Sequence, residues 1–196
     1  MASKNKKKEA ETLTEFDEIW ENPMKKPFLE KVVLNIGVGS GGEELERAVT
    51  VLETISGKKA LKTLSKKNVK DFNLRIGRPI GTKVTIRGKD AEKLLKRLLI
   101  VNNNRVLRKS FDDYGNFGFG IKEHISIPGV EYDNQIGIWG LDVCGRIIRN
   151  GLRTKYRRNK RKKIPKDHYV SREEAHYFLE KNFDVKLVDK LEVEYI

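Results

Sequence analysis

Two hydrophobic rhythms run along this chain. In KVVLNIGV (31–38), Val32, Leu34 and Ile36 fall on one side of a period-2 repeat and Lys31, Val33 and Asn35 on the other, the pattern of a half-buried strand. From Glu43 to Ser56 the spacing turns helical, with Leu45, Ala48, Val49, Leu52 and Ile55 inward and Gly57 as the stop. TKVTIR (82–87) alternates again: Thr82, Val84 and Ile86 face a core, while Lys83, Thr85 and Arg87 face out. A second helix opens at Asp90 as N-cap, carries Ala91, Leu94, Leu95 and Leu98 inward, and fades at Asn102-Asn103-Asn104.

The segments between these elements are less regular. LKTLSKKNVKDFNLR (61–75) reads as a loop between strands, leading into the turn Ile76-Gly77-Arg78-Pro79. Val106 to Ser110 and Ile121 to Ile127 are β-prone, separated by the glycine- and aromatic-rich DDYGNFGFG (112–120). IGIWGLDVCGRII (136–148) reads as one long strand, irregular at its glycines. Ser171 and Glu174 form a capping box ahead of a helix with Ala175, Phe178 and Leu179 inward, and LEVEYI predicts a last short strand. Upstream, Thr14 to Glu21 suits a short amphipathic helix stopped by Asn22-Pro23, after a disordered first dozen residues. The expectation is a flexible tail over 1–20 and a single domain over 21–196.

Strands and helices interleave without strict βαβ order, which predicts an α+β, two-layer fold: a mostly antiparallel sheet with helices packed on one face and the other face free. That free face presents Lys31, Asn35, Lys83, Thr85 and Arg87. It is either a solvated sheet surface or a surface for RNA.

Charge favours the second reading. The chain has 196 residues and a net charge of +13. Eleven Lys or Arg and no acid lie between Arg146 and Lys166, and eleven more against the single Asp71 between Gly57 and Lys89, so the remainder is net acidic. Basic charge concentrated in two places is the footprint of a polyanion binder. The run NGLRTKYRRNKRKKIPK (150–166), within a basic insertion at 150–168, is too charged to fold alone. It reads as a solvated loop, as a nuclear-targeting run, or as an arm ordered by RNA. In the last case Arg153, Lys155, Arg157, Arg158, Lys160, Arg161, Lys162 and Lys163 meet phosphates and Tyr156 stacks on a base.

Other chemistries find little support. No apolar run approaches the roughly 20 residues of a membrane span, and the charged start MASKNKKKEAETLTE has no apolar stretch, so a soluble, intracellular protein is expected. Cys144 is the sole cysteine, which excludes an internal disulfide or a CxxC site, and is expected to be half-buried. GVGSGG (37–42) matches G-x-G-x-x-G literally between a strand and a helix, but Glu43 and Glu44 stand where a pyrophosphate would sit. A glycine turn is the simpler reading. His124, His168 and His176 fit no zinc or catalytic spacing, and the carboxylates Asp112 and Asp113 have no evident partner. Neither an enzyme nor a cofactor is expected.

ENPMKKP (21–27), LNIGVG (34–39), ISGKKALKTLSKKNVKDFNLRIGRPIGTKVTIRG (55–88), GNFGFGIKEHI (115–125) and IGIWGLDV (136–143) occur in this order. Together they resemble the L-five family of large-subunit ribosomal proteins, over about residues 20 to 190. The GNFGFGI-EHI form and the basic insertion, which bacterial members lack, resemble the archaeal and eukaryotic branch. The resemblance implies a cytoplasmic, ribosome-bound structural protein. Its implied partners are 5S ribosomal RNA in the central protuberance, large-subunit ribosomal RNA, P-site transfer RNA, the small-subunit S-thirteen protein and other 5S-associated ribosomal proteins. Carried over by position, it implies 5S contacts at Asn35, Lys58, Thr63, Thr85 and Arg87, beside Lys83 on the same face, with Lys59, Lys66 and Lys67 on phosphates. Lys58 stands where many relatives carry glutamine. The loop with Arg75, Gly77 and Arg78 corresponds to the family's transfer RNA finger, and loops 112–120 and 128–135 to the intersubunit bridge.

Overall fold

The computed structural model describes residues 16–39 and 41–189. Most of the expected tail (1–15) and the expected strand LEVEYI lie outside the described residues. In chain order the main elements are β1 (Pro27–Gly37), α1 (Glu43–Ser56), β2 (Leu61–Leu64), β3 (Pro79–Arg87), α2 (Lys89–Val101), β4 (Arg105–Leu107), β5 (Asn116–Ile121), β6 (Leu141–Arg149), α3 (Arg172–Phe183) and β7 (Lys186–Val188). Among the described residues, five strands form one sheet in the order β2-β3-β1-β6-β5, all pairs antiparallel. A separate ribbon pairs β4 with β7 in parallel. The fold is α+β, as the interleaving of periods predicts, and no described helix is long and apolar enough to cross a membrane.

β1 takes the centre of the sheet, paired along both edges, with its inner side chains in the core. Leu29, Val32, Leu34 and Ile36 are all buried, although Leu29 and Val32 are three residues apart. A bulge at Glu30 reconciles them: the extra residue shifts the register between Leu29 and Lys31 and turns Leu29 back to the core. Helices α1 and α2 cover this inner face, packing on β1 and β3. Leu45, Ala48, Leu52 and Ile55 of α1 are buried as the spacing predicts, but the fifth inward position is Val51, with Val49 half-buried. The apolar stripe therefore widens toward Val51.

Several expectations fail for local reasons. Leu61–Leu64 is an edge strand on β3 where the sequence predicted loop. The glycine-rich stretch predicted to separate two strands is itself β5, with Phe117 and Ile121 buried and Gly118 and Gly120 opposite Cys144 and Asp142 on the other face. Aromatic-in, glycine-out is a period-2 pattern hidden by the small size of glycine. Residues 121–127 carry a single helical turn, His124–Ser126, and the strand expected from 136 begins only at Leu141. Asp90 lies inside the first turn of α2 and bonds Lys58, while Gly88, at φ 68°, takes the cap position. Cys144 is exposed, because Gly118 beside it has no side chain to cover the sulfur.

At α3 the Ser171 hydroxyl accepts from the Glu174 amide at 3.3 Å, the expected half of a capping box. The Glu174 carboxylate goes elsewhere. It is buried, 2.5 Å from Arg149 of β6, and accepts from Trp20 Nε1 at 3.0 Å. Trp20 belongs to a helical turn (16–20) that packs on Tyr177 and places Asp17 against Lys181. One buried acid thus ties the chain's start, the sheet and the last helix together.

This packing makes two predictions. A Cβ at Gly145 would collide with the Phe117 ring, which crosses that position. Gly145→Ala should therefore lower the unfolding free energy by about 1–3 kcal/mol in a denaturant titration; wild-type stability would mean that Phe117 is free to move. Burial holds His124 and His176 below their ordinary value of 6.5, and His124 Nδ1 accepts from the Trp139 amide. The unfolded chain then binds protons first, so stability is complete above 6.5 and lost as pH falls toward the folded values. The melting temperature should drop between about pH 7 and pH 5, before the ion-paired Asp17 and Asp90 contribute below 3.8. A flat profile there would show that neither ring is held neutral.

Candidate nucleic-acid interface

Residues that face each other across antiparallel strands point to the same side of a sheet. The register therefore sets out the outer face as rows. Arg87, Lys31, Arg146 and Asn116 form the first, across β3, β1, β6 and β5. Thr85, Val33, Cys144 and Gly118 form the second, and Leu61, Lys83, Asn35, Asp142 and Gly120 the third. Thr63 pairs with Gly81 on the row beyond. Lys83, Thr85 and Arg87 are exposed, and Lys31, Asn35 and Thr63 are half-buried among their neighbours. Five of the sequence-predicted contacts, Asn35, Thr63, Lys83, Thr85 and Arg87, thus share one surface of hydroxyls, an amide and cations. A Cβ at Gly81 would lie 2.9 Å from the Ile36 carbonyl, so only glycine lets β3 lie this close to β1 beside Thr63.

An acid the sequence did not single out organises the first row. The bulge turns Glu30 to the outer face, where Oε1 accepts from Arg87 at 2.7 Å and Oε2 lies 3.4 Å from Arg146. Arg146 also donates to the Tyr156 hydroxyl at 3.1 Å, which holds that phenol below its ordinary value. Glu30 was hidden in the sequence because a bulge breaks the alternation that assigns faces.

The remaining predicted contacts are dispersed. Lys58 follows the Gly57 cap of α1 and donates to Asp90 at 2.8 Å, so its ammonium is directed at the start of α2. Lys62 of β2 likewise reaches Glu46 of α1. Lys59, Lys66 and Lys67 are exposed, the last two in the loop joining β2 to β3. That loop is pinned as a ribbon: the Ser65 amide donates to the Arg78 carbonyl, the Gly77 amide to the Ser65 carbonyl, and Val69 pairs with Leu74. Gly77 has φ 82°, a conformation that suits glycine. Arg75 and Arg78 are exposed here beside Phe72 (73% exposed) and Ile76 (65%). Phe72 was missed, although an aromatic in a basic, Asn-rich stretch is a recognisable stacking signal.

The basic insertion takes a defined path. Arg153–Tyr156 makes one helical turn, Leu152 is buried, and Arg149 and His168 tie its ends through the Asp167 and Asn150 carbonyls. Arg153, Arg157, Arg158, Lys160, Arg161, Lys162 and Lys163 are exposed. Lys155 is half-buried, its ammonium 3.2 Å from the Tyr169 hydroxyl.

Family comparison gives this surface its context. Residues 22–75 match the family described as ribosomal protein L5, and residues 79–178 match the C-terminal region of the same ribosomal family. The chain belongs to the ribosomal L5 family. Large ribosomal subunit protein uL5 of Sulfurisphaera tokodaii is 48% identical over 169 residues, covering 86% of this chain and 96% of the relative. The same protein of Pyrobaculum aerophilum is 48% identical, with 85% and 93% covered, and that of Methanococcus vannielii 43%, with 88% and 98%. These archaeal relatives accord with the branch expected from the insertion. This L5-family chain is a non-enzymatic structural constituent of the large ribosomal subunit. Its two matched segments meet at the turn that joins Arg75 to Pro79.

The Glu30 arrangement makes a prediction about stability. Arg146 is 17% exposed and Arg87 58%. Glu30→Ala should cost about 1–3 kcal/mol by leaving Arg146 without its counter-charge, while Arg87→Ala should stay within about 1 kcal/mol. Equal losses in chemical denaturation would show that Glu30 serves Arg87 alone.

Proposed function

We propose that the outer sheet face binds 5S ribosomal RNA and anchors it in the central protuberance of the large subunit, in the cytoplasm. One observation carries the reading: residues from three strands, Asn35, Thr63, Lys83, Thr85 and Arg87, share one open face in a chain of the L5 family. Lysine and arginine supply sequence-independent attraction to phosphate, while fixed amide and hydroxyl groups supply register. Lys59, Lys66 and Lys67 extend the phosphate contacts; Lys58 joins them by leaving Asp90.

The ribbon carrying Arg75, Gly77 and Arg78 reaches the elbow of P-site transfer RNA. Its paired backbone fixes the path of the ribbon, the exposed Phe72 suits stacking on a base and the exposed Ile76 suits apolar contact. The stretch 112–120, which runs into β5, and the loop 128–135 take part in the bridge to the small-subunit S-thirteen protein. Neighbouring 5S-associated ribosomal proteins and large-subunit ribosomal RNA complete the surroundings.

A filter-binding titration against 5S RNA and an unrelated structured RNA of equal length tests the central claim. At near-physiological salt, 5S RNA should keep an advantage of about a thousandfold. Equal binding that fades alike with salt would reduce the face to nonspecific charge. Arg87→Ala should weaken 5S binding, whereas Arg78→Ala should spare it and weaken transfer RNA positioning on the assembled particle. Loss of 5S binding in Arg78→Ala would refute this division.

A further inference from the structure

Where the basic insertion returns over the first row of the sheet face, it encloses a solvent-open cavity of about 950 Å³. Its floor is sheet, with Lys31, Asn116 and Arg146. The facing wall is insertion, with Arg161, Lys162, Lys163 and Lys166, and none of these four is ion-paired among the described residues. Tyr114, Tyr156 and Tyr169, with Lys155 and Ile164, complete the lining. Among the described residues no carboxylate lines it; Glu30 reaches Arg146 from outside the lining.

The rings and charges are arranged together. Tyr114 and Tyr169 meet edge to face, with centroids 5.3 Å apart. The Lys155 ammonium lies 5.4 Å from the Tyr169 ring and 5.8 Å from that of Tyr156. Tyr156 is 57% exposed although its hydroxyl is fixed by Arg146. A concentration of cations without acids selects a phosphate, and aromatic faces select a planar base. The volume lies within the range of small-molecule sites, roughly 300–1,000 Å³, enough for a nucleotide. A base inside a duplex cannot present its face, so the occupant must be unpaired. The cations continue outside, along Arg157 to Lys160 and across the first row to Arg87, so the flanking backbone is met as well. That continuity suits a polymer over a free mononucleotide.

We propose that this cavity takes a single unpaired nucleotide of ribosomal RNA, its base stacked on Tyr156 and its phosphate held by Arg161, Lys163 and Arg146. The inference rests on the chain being a ribosomal RNA binder, and it names a contact distinct from the Asn35, Lys83 and Thr85 region.

The test uses the full chain at about 150 mM salt with three probes: a hairpin RNA carrying one bulged adenosine, the same hairpin fully paired, and adenosine 5′-monophosphate. The bulged hairpin should bind about tenfold tighter than the paired one. Tyr156→Leu should erase that preference and Tyr156→Phe keep it, both melting as wild type does; Lys163→Ala should weaken the bulged hairpin more than the paired one. Equal binding of the two hairpins by wild type overturns the proposal. Displacement of the bulged hairpin by equimolar monophosphate would assign the cavity to a free nucleotide, and displacement by polyglutamate as readily as by paired RNA of equal charge would assign it to an acidic protein; either overturns it. A protein that fails the 5S titration yet prefers the bulged hairpin refutes the 5S reading alone, and the converse refutes this one alone.

Discussion

β1 is hydrogen-bonded along both edges, to β3 and to β6, and its side chains divide strictly between two environments. Leu29, Val32, Leu34 and Ile36 anchor the core, while Lys31, Asn35 and the bulge residue Glu30 stand on the outer face. A strand paired on both sides cannot rotate, so burial of one set fixes the exposure of the other. The helices that cover the inner face and the cations that populate the outer one both depend on this division. A register slip of one residue would bury Lys31 and Asn35 and expose Val32, Leu34 and Ile36.

The outer face is basic without being uniformly so. Glu30 holds Arg87 and Arg146, and Asp142 lies beside Asn35, so the two arginines are held by a carboxylate as well as by the strands. This arrangement separates two roles for positive charge. Long side chains on the ribbon between β2 and β3 and on the outer part of the insertion, Arg157 to Lys160, are exposed and suited to attraction at a distance. Those of the sheet rows are positioned by strand pairing and by neighbours, suited to recognition at contact.

The order of segments in the L5 family and the concentration of charge were legible from residues alone, as were β1, β3, α1, α2 and α3. Each of these elements buries enough apolar surface, or in α3 carries a clear enough cap, to be recognised from local residues. β5 was not, because Gly118 and Gly120 occupy its outward positions and leave no polar signal. β2 was not, because Leu61 and Leu64 stay exposed on an edge strand and Lys62 reaches back to Glu46. Glu174 was read as a cap partner, yet its carboxylate is buried against Arg149 and Trp20, both distant from it in the chain.

By itself the sequence determined the class of fold, the two basic segments, and which residues of β3 and of β1 from Lys31 onward share the outward side, since all of these follow from local period and composition. Tertiary structure alone decided the rest. It placed Arg146 in one row with Lys31 and Arg87, turned Glu30 outward through a bulge, directed Lys58 to Asp90, and brought Tyr114, Tyr156 and Tyr169 together around one cavity. Those outcomes depend on strand pairing and chain return between residues distant in sequence, and pairing free energy is a property of surfaces brought together, which no local pattern encodes.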